Sequence, residues 1–132
     1  MKCVVDANII ISALLGSKKT IEVITSERYK LYAPLRITEE VRKYKDYICE
    51  KSSISNQEFE DVWQSLSIFI KTVNVQEYKL ELKKAEEIIN ERDINDIDYV
   101  ACALVIGADF IWTNDKDFLT QKKIPIKTTN GL

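Results

Sequence analysis

An α/β fold with a parallel sheet covered by helices on both faces is what this sequence predicts, and three observations carry the prediction. Short β-branched apolar runs alternate with stretches of helical periodicity along the chain. One of the runs, Phe110-Ile111-Trp112, is apolar without a break, as suits a strand buried on both faces. The 132 residues, 45% apolar and 30% charged with only 3 Gly and 2 Pro, suffice for one packed domain over 1–132 and leave no room for a second core. No internal repeat, low-complexity tract or linker interrupts it.

Taken in order, residues 2–5 (Lys-Cys-Val-Val) read as the first strand and Asp6 as its acidic tip. The apolar-rich stretch Ile9 to Leu15 then forms a helix that stops at Gly16. Lys18 to Glu27 gives a second helix, and Lys30 to Ala33 a short strand closed by Pro34. From Ile37 a charged helix runs to about Cys49. Ser53-Ile54-Ser55-Asn56 caps the next helix, in which Phe59, Val62, Trp63, Leu66, Phe69 and Ile70 recur at helical spacing and face a core. Thr72 to Val75 is a brief strand. Tyr78, Leu82, Ala85 and Ile89 mark one stripe of a helix whose other face, Lys and Glu, is solvated. Asn95-Asp96 opens a helix with Ile97, Val100, Ala101, Leu104, Val105 and Ala108 on one side, ending near Gly107. After strand 110–112, the acid-rich segment Thr113 to Asp117 leads into a short helix, and Ile124 to Lys127 forms the last strand.

Composition narrows the chemistry. With 21 acidic and 19 basic residues the net charge is −2, which denies the chain the general cationic field of a non-specific nucleic-acid binder. There is no histidine, so Ser-His-Asp and Cys-His arrangements, a histidine general base and histidine-ligated zinc are all excluded. Cys3, Cys49 and Cys102 include no C-x-x-C pair and read as buried small apolar residues in a reducing compartment. The N-terminus enters a short apolar run broken by Asp6, and no segment approaches the roughly 18 apolar residues of a membrane span. A cytoplasmic location and no membrane association are expected.

In open parallel sheets the ligand site lies beyond the carboxyl ends of the strands, at a switch point in strand order. Asp6 directly follows one strand, Asp115 follows another after Thr113, and Asp96 stands at a helix start. All three can open onto one edge of the sheet. Singly, each has a plainer role at a helix start, where the dipole favours an acid by roughly 0.3–1 kcal/mol. Together they cannot all stay bare: like charges about 5 Å apart repel by roughly 3 kcal/mol at an effective dielectric near 20. Several such pairs would consume much of a domain stability of about 5–15 kcal/mol. A cation or bound protons must accompany a true cluster. Carboxylate, amide and water oxygens without imidazole or thiolate suit Mg²⁺ or Mn²⁺. That chemistry leads to hydrolysis of a phosphodiester.

Four segments in this order resemble the PIN-domain ribonucleases, including the VapC-type toxins of toxin–antitoxin modules. They are Val4-Val5-Asp6-Ala7-Asn8 with Ser12-Ala13-Leu14-Leu15 behind it, Pro34 followed by Glu39-Glu40-Val41, Asp93-x-x-Asp96-x-Asp98-Tyr99 leading into Ala101-x-Ala103-Leu104, and Thr113-Asn114-Asp115-Lys116-Asp117-Phe118. The resemblance spans nearly the whole chain. It implies a three-layer α/β/α sandwich with a central parallel sheet, and a metal-dependent endonuclease cutting single-stranded or structured RNA. Carried over by position, Asp6, Glu40, Asp96 and Asp115 are similar to the family's acidic quartet, with Asp6 and Asp96 as principal Mg²⁺ or Mn²⁺ ligands and Glu40 and Asp115 completing the site directly or through water. Asn8 matches the polar residue after the first acid, Asp117 assists, and Thr113 stands where the family has a hydroxyl that orients a carboxylate or water.

Ala7 departs from the family's common Thr or Ser and removes one hydroxyl. Glu39 and Glu40 point about 100° apart on a helix, so one alone faces the site. Glu40 is chosen, with Val41 and Tyr44 as its packed flank. Asp98, two positions from Asp96, faces away from it and is left on the surface. For phosphate contacts the basic candidates near the acidic edge are Lys18, Arg36 and Lys116. The remaining basic candidates are Lys19, Arg42-Lys43-Lys45 and Lys122-Lys123. The resemblance also implies an antitoxin protein partner and a homodimer, for which the aromatic-rich stretch 56–70 offers a face if the sheet does not use it up. The rivals are a Mg²⁺-dependent phosphotransfer or signalling domain and a catalytically silent PIN-like binding module. A receiver-type domain needs an Asp at the end of the central strand, and Thr72 to Gln76 has none; Asp6-Ala7-Asn8 lacks the second acid of a haloacid-dehalogenase-type phosphatase.

Overall fold

The computed structural model describes residues 1–89, 94–115 and 123–132, with residues 94 and 95 as backbone only. Lys2–Val5 forms β1, followed by α1 (Ala7–Leu14) and α2 (Lys18–Thr25). Then come β2 (Lys30–Pro34), α3 (Ile37–Lys43), α4 (Lys45–Ser52), α5 (Asn56–Ser67) and β3 (Ile70–Val73). A short α6 (Val75–Tyr78) passes through a 3-10 turn into α7 (Leu82–Ile89), and α8 (Ile94–Ile106), β4 (Phe110–Trp112) and β5 (Ile126–Lys127) complete the described elements.

The strands form one parallel sheet in the order β3-β2-β1-β4-β5. Cys3 stands opposite Leu31 on one side and Phe110 on the other, so β1 is the central strand. That explains why Cys3, Val4, Val5 and all of β4 have no exposed surface. The chain steps from β1 to β2 to β3 in one direction along the sheet and then crosses back to β4. With right-handed crossovers, this reversal puts α1 to α5 on one face and α6 to α8 on the other, giving the α/β/α sandwich. The packing agrees: α8 lies across β1, β2 and β4, while α1 touches α2, α3, α4 and α5. The reversal falls between β1 and β4, and the crevice beyond their carboxyl ends is the switch point of the fold.

Several boundaries differ from expectation for identifiable reasons. The helix expected from Ile37 to Cys49 is two, broken at Tyr44, whose backbone (φ −100°, ψ 9°) leaves the helical region. The bend lets Arg42 and Lys45, on either side of the break, reach the same Glu60 carboxylate of α5 at 2.6 and 3.1 Å. The strand expected at 72–75 lies at 70–73, because the Asn74 side chain accepts the Glu77 amide and turns Val75 into a helix. Phe69 and Ile70 accordingly lie outside α5. The second helix stops at Thr25, two residues early, with Glu27 at φ 60° just beyond it. Gly16 (φ 102°) and Gly107 (φ 67°) follow α1 and α8 in a backbone conformation that glycine adopts at little cost. The short helix expected after Asp117 falls outside the described residues.

Phe59, Trp63 and Leu66 of α5 are buried in the chain's own core. The aromatic stripe is therefore used up within the domain, and the face it was expected to offer a second copy is not available from those rings. Cys3 and Cys102 are core residues whose thiols burial pushes up to about 12, which makes them inert. Cys49, expected to be buried, is half-buried, with its thiol against the Ser55 carbonyl. Ser55 starts α5 with a full capping box, its hydroxyl on the Glu58 amide and the Glu58 carboxylate on its own amide. Ser53, two residues earlier, sits at φ 53°. Ser55→Ala is expected to cost about 1 kcal/mol, whereas Ser53→Gly removes a left-handed side-chain penalty and should gain up to about 1 kcal/mol. Urea unfolding of the two variants beside the parent checks both signs.

Candidate functional site

Asp6 is fixed by both strands at the switch point. Its amide donates to the Trp112 carbonyl at 3.0 Å, prolonging the β1–β4 ladder by one residue. As the residue that starts α1 it has an extended backbone, but its carboxylate makes no cap. Instead Oδ2 accepts the Thr113 hydroxyl at 2.7 Å. Thr113 is fully buried, and the same hydroxyl oxygen accepts the Asp115 amide at 2.9 Å. One side chain at the end of β4 thus orients the first acid and ties down the loop bearing another.

Only 6% of Asp6 is exposed. Burial pushes its carboxyl above the ordinary 3.8; the Thr113 hydroxyl works against this, the nearby Asp115 charge adds to it, and the Ala7 and Asn8 amides offset part of it. Asp96, in the first turn of α8, is also buried, at 7% exposure. Asp115 is half-buried at the end of β4. Glu40 comes from α3, with 19% of its side chain exposed. Glu39 beside it is exposed to solvent, so the geometry separates the two adjacent acids. The Tyr99 hydroxyl of α8 donates to Glu40 Oε1 at 3.3 Å. Burial raises the Glu40 carboxyl above its ordinary 4.5, the Arg36 charge and the Tyr99 hydroxyl pull it down, and the Asp6 charge pushes it up again. The mutual influence of Asp6 with Asp115 and with Glu40 puts acids from three elements within electrostatic reach of one another.

The supporting residues divide. Asn8 is exposed in the first turn of α1, next to Asp6. Lys18 is exposed at the start of α2, separated from Asp6 by the whole of α1, about 12 Å of helix. Arg36 is engaged by carboxylates on both sides, at 2.7 Å from Asp98 and 3.3 Å from Glu40. Arg42 and Lys45 are tied to Glu60, and Arg42's two hydrogen bonds hold that carboxyl down to about 2. Lys116, Asp117 and Lys122 lie outside the described residues, as does Asp93. Tyr44, expected to flank Glu40 in the core, is exposed, and the packing there comes from Val41.

Two residues carry more than their sequence context suggested. Asp98 is half-buried, not at the surface, because it is the partner of Arg36. Tyr99 is buried, its hydroxyl far less acidic than usual through burial first and the Glu40 charge second. Its position three residues after Asp96, on the same helical face, was the available signal for Tyr99. Nothing local marks Asp98, whose partner is 62 residues away.

The donors at this edge are carboxylate and hydroxyl oxygens, the kind that hard divalent cations take. Among the described residues no three His, Cys, Asp or Glu side chains are placed close enough to hold one ion together. Asp6, Asp115 and Glu40 thus lie within electrostatic reach of one another without forming a closed coordination shell among the described residues.

Comparison with known proteins adds the following. A family model described as "PIN domain" matches residues 4–131. Among curated proteins no sequence match was found. One similar solved structure is VapBC2 from Rickettsia felis bound to a DNA fragment from its promoter, with a TM-score of 0.68, 14% identity, and coverage of 97% of this chain and 98% of that one.

Asp6 and Glu40 both bind their protons more tightly in the folded chain than in the unfolded one. Their ionisation therefore costs stability above the raised folded-state pKa values, and the cost fades as pH falls towards 3.8 and 4.5. Asp6→Asn, whose amide oxygen can still accept from Thr113, removes this cost. In chelator-treated protein it should unfold at higher urea than the parent at neutral pH, with the gap closing towards about pH 4. Urea midpoints measured across that range check the sign.

Proposed function

The chain belongs to the PIN-domain family, and from that membership and the acidic edge we propose that it is a Mg²⁺- or Mn²⁺-dependent endoribonuclease of VapC type, the toxin of a toxin–antitoxin module. The observation that carries the reading is the Asp6–Thr113–Asp115 connection at the switch point, with Glu40 close enough to raise the electrostatic cost. Buried acids that disfavour one another's charge bind a cation to their mutual benefit.

In this reading Asp6 and Asp96 are the principal ligands, and Glu40 and Asp115 complete the shell directly or through water. Since no three of the described side chains form a closed set, water and substrate phosphate oxygens would supply the rest of the shell. A bound Mg²⁺ or Mn²⁺ supplies charge neutralisation at the scissile phosphate and makes water a stronger acid. The chain's own groups do the remaining work. Thr113 holds Asp6 in one rotamer through its 2.7 Å hydrogen bond. Glu40, lifted by burial, is suited to accept a proton from the attacking water. Asn8 is exposed beside Asp6 and suits a contact to substrate, while Asp117 assists. Phosphate contacts are assigned to Lys116 and Lys18; Arg36, already engaged by two carboxylates, is the weakest of the three candidates.

An antitoxin partner is part of the same proposal; the similar Rickettsia structure is itself a VapBC2 assembly on promoter DNA. A homodimer and a cytoplasmic location are proposed with it. No described helix is long and apolar enough to cross a membrane.

The test is cleavage of a fluorophore-labelled single-stranded RNA pool and of a folded RNA hairpin, with Mg²⁺, with Mn²⁺ and with chelator. Cleavage should require the metal. Asp6→Asn, Asp96→Asn and Asp115→Asn should each lose at least about a hundredfold in rate while keeping the parent's circular dichroism. Calorimetric titration of Mn²⁺ should show clear binding to the parent and much weaker binding to Asp96→Asn and Glu40→Gln. A parent that binds no Mn²⁺ and cuts neither RNA would make the chain a silent binding module.

A further inference from the structure

Arg36, just before α3, is threaded between carboxylates from two different layers. Its Nη1 donates to Asp98 Oδ2 on α8 at 2.7 Å, and its Nε lies 3.3 Å from Glu40 Oε1 one helical turn ahead. Tyr78, buried at the end of α6, lies near enough to Asp98 for that carboxylate to make its hydroxyl less acidic. From the neighbouring position on α8, the Tyr99 hydroxyl reaches Glu40 Oε1 as well. The strengths are unequal. The Asp98 contact is short and charge-assisted, whereas the buried Nε–H is aligned too poorly on Glu40 to count as a hydrogen bond. Asp98 therefore fixes the guanidinium, and the guanidinium acts on Glu40 by charge. Both contacts to Glu40 fall on Oε1, and Oε2 has no partner among the described residues.

We propose that Arg36 is a positioning residue for Glu40: anchored by Asp98 of α8, it holds Oε1 and reserves Oε2 for a cation or water. The geometry needs arginine. Its planar fork meets two acids at once through different nitrogens, which a lysine ammonium on a flexible stem does not reproduce. The role also accounts for a half-buried ion pair joining α3 to α8, whose desolvation gives it little claim to exist for stability alone. The consequence for metal binding rests on the nuclease reading; the link through Arg36 does not.

The experiment has two independent readouts. In chelator, urea midpoints are measured for the parent, Asp98→Asn, Glu40→Gln and the double variant, and the set is repeated with Arg36→Met, or with Arg36→Gln if the first does not fold. Either single change leaves Arg36 one acid, and the double change leaves none, so the double variant should lose more than the sum of the singles. That excess should vanish without Arg36. Strict additivity, or an excess that persists without Arg36, overturns the proposal. The second readout is Mn²⁺ affinity by calorimetry. Asp98→Asn should weaken it about tenfold in the parent, but about twofold or less once Glu40 is Gln, since only the screened charge of Asp98 then remains. Equal weakening in both backgrounds overturns the positioning role. No Mn²⁺ binding by the parent overturns the metal reading of the site, while the unfolding cycle still decides whether Arg36 couples Asp98 to Glu40.

Discussion

The pairing of β1 with β4 is the constraint on which the acidic edge depends. Those strands are distant in sequence, and their adjacency exists only because the chain reverses direction across the sheet after β3. The reversal opens a crevice, and the ladder runs one residue past β1 so that Asp6 enters it on a fixed backbone. Thr113 makes use of that adjacency: a 2.7 Å hydrogen bond spans 107 residues of sequence and sets the first acid against the loop that carries Asp115. A hydrogen bond to a charged group contributes roughly 1.5–3 kcal/mol. The larger consequence is geometric, because it limits the rotational freedom of the carboxylate at the start of α1.

The second organising term is electrostatic cost. Asp6 and Asp96 are almost completely buried and Glu40 is partly so, although nothing in the fold of β1, α3 or α8 requires acids there. Apolar or hydroxyl side chains would pack without the penalty seen in the raised Asp6 and Glu40 carboxyls. The chain offsets part of the cost internally through Thr113, Tyr99 and Arg36, each acting on one acid. Against these acts the repulsion of Asp115 on Asp6 and of Asp6 on Glu40, and repulsion among acids is the property that makes a cation welcome. Structural ion pairs behave differently here. Arg42, Lys45 and Glu60 lie on the surface, satisfy one another, and join α3 and α4 to α5 without perturbing the acidic edge.

Much of this was legible from the sequence, for reasons that explain where legibility ended. The strands β1 and β4 announce themselves because a strand buried on both faces must be continuously apolar, and 3–5 and 110–112 are. Asp6, Asp96 and Asp115 were readable because each sits at a strand end or helix start, positions that local pattern fixes. Glu40 over Glu39 depended on the helical phase of α3, and the exposure of the two residues agrees with the choice. The errors have a common origin. The break at Tyr44, the early start of β3 and the partner of Asp98 are all decided by contacts between residues far apart in sequence or by a single capping side chain such as Asn74. Periodicity does not record these.

Asp98 illustrates how such a miss bears on function. Two residues from Asp96 on one helix, it must point to a different side, and that deduction was sound. The further step, that pointing away from the site means pointing to solvent, fails because α8 lies across the middle strands and has neighbours on more than one flank. On one flank it offers Tyr99 to Glu40; on the other it offers Asp98 to Arg36. The helix thereby reaches Glu40 twice, once through the Tyr99 hydroxyl and once through the guanidinium held by Asp98. Since Glu40 stands on α3, on the opposite face of the sheet, its orientation is governed largely from the other layer. The nearness of Asp6, Asp115 and Glu40 then depends on both layers keeping their registration with the sheet. That dependence ties the candidate chemistry to the fold as a whole.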